Sequence, residues 1–123
     1  MLFSEDYIGA GRPRASDTAL VTGAAGGIGA AIVAELKGRG MRVVGVDRER
    51  PHRGGEDHFV VADLTETDPD DVIDAAAACG SAPDVLVNCA GVSVDVPAEQ
   101  LQRAQIDHVL AVNLIAPIEL ALA

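Results

Sequence analysis

The stretch Thr22-Gly-Ala-Ala-Gly-Gly-Ile-Gly29 decides the fold. Just before it, Thr18-Ala-Leu-Val-Thr22 is a short apolar run closed by Gly23, the pattern of a buried strand. Just after it, Ile28, Ile32, Val33 and Leu36 fall at helical spacing, with Glu35, Lys37 and Arg39 among the polar positions. Gly38 and Gly40 end that helix. The glycines at 23, 26, 27 and 29 therefore sit at a strand-to-helix turn. A helix start offers unpaired backbone N–H groups and positive partial charge. Glycines let the backbone turn tightly and approach a pyrophosphate with no Cβ in the way. A Gly-rich turn that merely permits close packing is the simpler alternative. The strand–turn–helix setting favours the nucleotide reading.

Working outward, Met41 to Asp47 is a second apolar run and Phe59-Val-Val-Ala62 a third, the latter followed by Asp63-Leu64. Pro51, Gly54 and Gly55 mark the polar loop between them. A second helix is expected from Asp68 or Asp70 through Ala75–Ala78, stopped by Gly80, with acids at the start suiting its dipole. Val85-Leu-Val87 is a fourth strand, followed by Asn88-Cys-Ala-Gly91. From about Ala98 a helical pattern runs through Pro117 to Ala123. Alternating strands and helices imply a doubly wound α/β fold, with parallel strands, right-handed crossovers and helices on both faces. Residues 1–16 lack a period and read as a loose extension, leaving 17–123 as the ordered domain.

The composition removes other classes. The 123 residues carry a net charge of −10, which argues against nucleic acid as a partner. No apolar run approaches the roughly 20 residues of a membrane span, and the first ten residues lack the pattern of a secretory signal. Cys79 and Cys89 make neither a disulfide framework nor a metal knuckle, so a reduced, cytoplasmic setting is expected. His52, His58 and His108 lack ligand spacing, and no metal is expected. The acids Asp68, Asp70, Asp71 and Asp74 read as a solvated helix start. Asp47, at the end of the second strand, suits hydrogen bonds from ribose hydroxyls and repels a 2′-phosphate, which favours NAD over NADP. Arg48, next to it, softens that preference.

Thr-Gly-x-x-x-Gly-Ile-Gly at 22–29, Asp63-Leu64, Asn88-Cys-Ala-Gly91 and Val112-Asn113-Leu114 together resemble the compact branch of the short-chain dehydrogenase/reductase family. The resemblance covers about residues 17–123. Glycines 23, 26 and 29 also fit the spacing of the family's longer, epimerase-like branch, which Asn88–Gly91 disfavours. Cys89 stands where the family pattern has a second Asn. The resemblance implies a Rossmann-type sheet of strand order 3-2-1-4. It implies that Gly23, Gly27, Ile28 and Gly29 cradle a nicotinamide dinucleotide and that Asp47 holds the adenine ribose. Asp63 and Leu64 would contact the adenine. Asn88, Ala90 and Gly91 would line the cofactor, and Asn113 would be the asparagine of the catalytic tetrad.

The family's general acid/base Tyr, the Lys three positions beyond it and the upstream Ser follow the Asn-bearing helix. Here the only Tyr is Tyr7 and the only Lys is Lys37, both upstream. The 123 residues therefore resemble the N-terminal half of such an enzyme and are expected not to turn over an alcohol or carbonyl substrate alone. A non-catalytic NAD- or adenosine-binding module is the rival expectation. The fourth strand's outer edge and the last helix's Leu and Ile face should be bare, which points to low stability or a homo-oligomer.

Overall fold

A computed structural model describes residue 14, residues 16–51 and residues 54–123. Tyr7, most of the extension expected over 1–16, and His52 lie outside the described residues. Four strands form one parallel sheet: β1 (Thr18–Thr22), β2 (Arg42–Asp47), β3 (His58–Val61) and β4 (Val85–Val87). Their order is β3-β2-β1-β4, as the resemblance implies. In register, Leu20 of β1 lies opposite both Val44 of β2 and Leu86 of β4.

The helices are α1 (Gly27–Gly38), α2 (Pro69–Ala77), α3 (Arg103–Leu110) and α4 (Ala116–Leu122), with a π-helical segment, Ala111–Ile115, joining the last two. Every residue of β1 is buried, as a central strand covered on both faces must be. Alternation of side chains divides the core in two. Leu20, Val44 and Val46 pack against Val72 and Ala76 of α2 and Leu120 of α4. Val21 and Val43 pack against Ala24, Val33 of α1 and Phe59 on the other face. A Cβ at Gly45 would press to 2.9 Å from the Ala24 methyl and 3.0 Å from the Phe59 ring, so glycine makes room for both.

Local chemistry sets the element ends. The Asp68 carboxylate accepts from the Asp70 N–H at 3.0 Å and caps α2, with Pro69 at its first position. α3 starts later than the expected Ala98. Ala98–Gln100 is a single 3₁₀ turn, Leu101 is extended, and Gln102 and Gln105 form a reciprocal capping box. The helix then continues through Pro117 because the π segment precedes it. Proline has no N–H, so the carbonyl four residues earlier, that of Asn113, lacks an α-helical donor. The ladder adjusts, and the Ala116 N–H bonds to the Ala111 carbonyl.

This continuity corrects one expectation. The helical run Arg103–Leu122 has 20 residues and a mean hydropathy of 1.3 over its most apolar stretch, long and apolar enough by those measures to cross a membrane. Asp107 and Glu119 interrupt the apolar residues along the chain but not the helix. In the fold, Ala116 and Leu120 are buried, with Leu120 in the α2-side core, so the helix is docked on the sheet domain. As expected, Ile106, Leu110, Leu114, Ile118 and Leu122 are exposed, at intervals of one helical turn. β4 forms one edge of the sheet.

Candidate functional site

The four strands deliver their carboxyl ends to one side of the sheet. β1 leads into the glycine turn, β2 into Asp47-Arg48, β3 into Ala62-Asp63-Leu64, and β4 into Asn88–Val92. Connections from β1 run outward to β2 and β3, while β4 lies on the other side of β1. That is the topological switch point, where open α/β sheets leave a crevice. A cleft of about 300 Å³ occupies it. Gly23, Gly27, Ile28, Gly29, Asp47, Arg48, Asp63, Leu64, Ala90 and Gly91 all line this cleft, so ten of the sequence-selected residues converge there.

The glycine turn is held by close approach. Gly23 has φ of +67°, and a Cβ on it would sit 2.8 Å from the Ala90 Cα and N. A Cβ on Gly29 would fall inside the Gly23 carbonyl, so only glycine lets α1 start so close to the turn. Gly27 is different: a Cβ there would meet nothing within 4 Å. α1 has no side-chain cap and no acid in its first turn, which leaves its N-terminal N–H groups without a side-chain partner.

Asp47 is half-buried and braces the turn. Its Oδ2 accepts from the Ala25 N–H at 3.0 Å and its Oδ1 from the Arg48 N–H at 2.7 Å. Asp63 bends back on its own loop, its Oδ1 accepting from the Thr65 hydroxyl at 2.7 Å and the Thr65 N–H at 2.9 Å. Those two bonds hold its carboxyl below the usual 3.8, and the charges of Arg48 and His108 add to the effect against partial burial.

Thr22, which ends β1, joins two strand ends. Its buried hydroxyl accepts from the Cys89 and Ala90 N–H groups, each at 3.1 Å, and donates to the Val87 carbonyl at 3.5 Å. The glycine turn and the post-β4 loop therefore share one anchor. Cys89 lines the cleft and also packs against the α1-side core; it and Cys79 are free thiols.

Asn88, expected to line the cofactor, and Asn113, expected as the tetrad asparagine, are not in the cleft wall. Asn88 is exposed just past β4. Asn113 sits in the π segment and turns its amide to the loop backbone, accepting from the Val92 N–H and donating to the Val92 carbonyl, both at 2.8 Å. It acts on the cleft through Val92, which does line it. The wall also contains Gly26 of the glycine turn, and Val46, Ala62, Cys89, His108 and Val112, to which the sequence assigns no cofactor role. Val46 and Ala62 flank selected acids and were within reach of it. His108 enters only because α3 docks here, which no local pattern reveals. No cluster of metal ligands exists among the described residues.

Comparison with known proteins agrees with this geometry. The short chain dehydrogenase family profile matches residues 17–123. D-threitol dehydrogenase of Mycolicibacterium smegmatis is 39% identical over 109 residues, covering 78% of this chain and 41% of that protein. A short chain dehydrogenase of Leptospira borgpetersenii with bound NAD+ superimposes with a TM-score of 0.80 at 25% identity, covering 99% of this chain and 48% of that one. A metagenomic short-chain oxidoreductase in complex with NADP gives 0.77 at 35% identity, covering 89% and 55%. The chain spans less than half the length of the curated relatives it matches. A profile match running from just before β1 to the last residue, on a sheet that solved members share, places the chain in the short chain dehydrogenase family.

Proposed function

We propose that these residues form the nucleotide-binding part of an NAD(P)-dependent oxidoreductase acting on an alcohol or carbonyl compound. The start of α1 carries this reading. Its N–H groups lack a side-chain cap, its first turn carries no acidic residue, and Gly27 keeps the approach clear. The residues present fit a dinucleotide. Gly23, Gly27, Ile28 and Gly29 would take the pyrophosphate. Asp47 would hold the adenine ribose, since each of its oxygens keeps a lone pair beyond the bond already made. Asp63 would accept from the adenine amino group through Oδ2, its Oδ1 being engaged by Thr65. Ala90 and Gly91 would line the middle of the cofactor.

The bound nicotinamide supplies the hydride acceptor or donor. Asn113 would act as a positioning residue: it fixes Val92 and thereby the loop after β4 that lines the cleft. An acidic Asp47 favours NAD, and the exposed Arg48 narrows that preference. Free thiols at Cys79 and Cys89 accord with a reducing, cytoplasmic setting. The exposed stripe from Ile106 to Leu122 suits a homo-oligomer.

The 123 residues hold no Tyr–Lys pair downstream of Asn113, so we propose that they bind cofactor without turnover. An NADH fluorescence titration, followed by a panel of aldehydes and ketones, tests both parts. Enhanced NADH emission with no carbonyl-dependent oxidation is expected. Robust oxidation contradicts the incompleteness, and unchanged emission contradicts the cofactor site.

A further inference from the structure

We propose that His108 is a further binding residue of this cleft, its imidazole stacking on the adenine of the bound dinucleotide. The inference rests on the nucleotide reading above and assigns the outer cover of its adenine end.

His108 lies in the last turn of α3, exposed, and lines the cleft together with Asp63, Leu64 and Val112. A purine needs contact on its flat faces, and base–ring stacking supplies it. The Arg48 guanidinium is the other flat group in the wall. Leu64, Val112, Val46 and Ala62 are aliphatic, and no other side chain lining the cleft has a planar ring. Phe59 is buried in the α1-side core, away from the wall. Asp63, the group proposed to meet the adenine amino, lines the same cleft as His108. A polar residue on the exposed side of the helical run Arg103–Leu122 would by itself account for a His there. It would not involve the ring's face, and the two roles separate experimentally.

Calorimetric titration of ADP-ribose, which carries the adenine but no nicotinamide, into the unsubstituted protein, His108→Ala and His108→Phe tests the proposal. His108→Ala is expected to weaken ADP-ribose binding about fivefold or more, with an unchanged melting temperature. His108→Phe, which keeps a ring but no charge, is expected to stay within about twofold of the unsubstituted protein. Equal affinity for His108→Ala and the unsubstituted protein overturns the stacking role and leaves the nucleotide reading intact. A Phe variant as weak as the Ala variant also overturns it, because the ring face would then not be what binds. No ADP-ribose binding by the unsubstituted protein overturns both readings.

Discussion

The Asn113 amide closes on the backbone of Val92 with both of its polar ends, each at 2.8 Å. One side chain thus ties the π segment of the last helix to the loop leaving β4. The Pro117 ring, which removes the α-helical donor for the Asn113 carbonyl, makes the helix wide at the point where this clamp is placed.

Asn113→Ala is expected to cost about 1 kcal/mol of stability, the net worth of a hydrogen-bonded pair that is partly exposed. The sharper readout is local. Hydrogen exchange at the Val92 amide should speed up relative to Val21 in the core. Equal protection of Val92 in the variant would remove the clamp from the account.

Two glycines of the same turn should behave oppositely. Gly29→Ala drives a methyl into the Gly23 carbonyl and should destabilise by about 1–3 kcal/mol. Gly27→Ala meets only open cleft, so its melting temperature should hold while NADH affinity falls. Thermal melts of both, with NADH titration of the second, check the pair. A Gly27→Ala protein that melts early would show that the turn is packed more tightly than described.

Thr22→Val keeps shape but loses the hydroxyl that accepts from Cys89 and Ala90. Two N–H groups in a part-buried setting then lose their partner, at a cost of about 1–3 kcal/mol. Thr22→Ser retains the oxygen and should recover most of the loss. Denaturant unfolding of the two variants distinguishes the hydroxyl from the methyl; similar losses in both would assign the effect to packing.

Asp57 links α1 to β2. It accepts from the Lys37 ammonium at 2.5 Å and from the Val43 N–H at 2.7 Å, and the Lys37 bond is the larger cause holding its carboxyl below the usual 3.8. The folded value lies under the unfolded one, so the contribution is complete above the unfolded value and lost as pH falls through the folded one. The pair is more than a third exposed, so its worth is about 0–1 kcal/mol. Asp57→Asn should melt lower than the unsubstituted protein at neutral pH, with the difference shrinking below about pH 4. A difference that grows in acid would contradict the ion pair.

Much of this architecture was legible from local pattern. Runs such as Thr18–Thr22 and Arg42–Asp47 are apolar because both faces of a parallel strand are covered, and the glycine turn declares its own position between strand and helix. Asp47, Asp63 and Gly91 follow strand ends, so strand order alone brings them together. Other features depend on docking. His108 reaches the cleft because Leu120 and Ala116 seat the last helix, and Asn113 meets Val92 across 21 positions of chain. Asn88 follows the same strand as Gly91, yet stands outside the wall, because the loop turns Cys89 and Ala90 onto Thr22 instead. The start of α3 at Arg103 had a readable signal in Gln102 and Gln105, set three apart as a capping box. The π segment had one in Pro117, four residues past Asn113.

We propose that the cleft holds the adenosine half of a nicotinamide dinucleotide through the glycine turn and Asp47. Parallel calorimetric titrations of NAD+ and NADP+ into the protein and into Asp47→Ala test it most directly. Saturable micromolar binding of NAD+, tighter than that of NADP+, with both the affinity and the preference lost in Asp47→Ala, is the expected result. No heat with either dinucleotide, or an NAD+ affinity indifferent to Asp47, would contradict it.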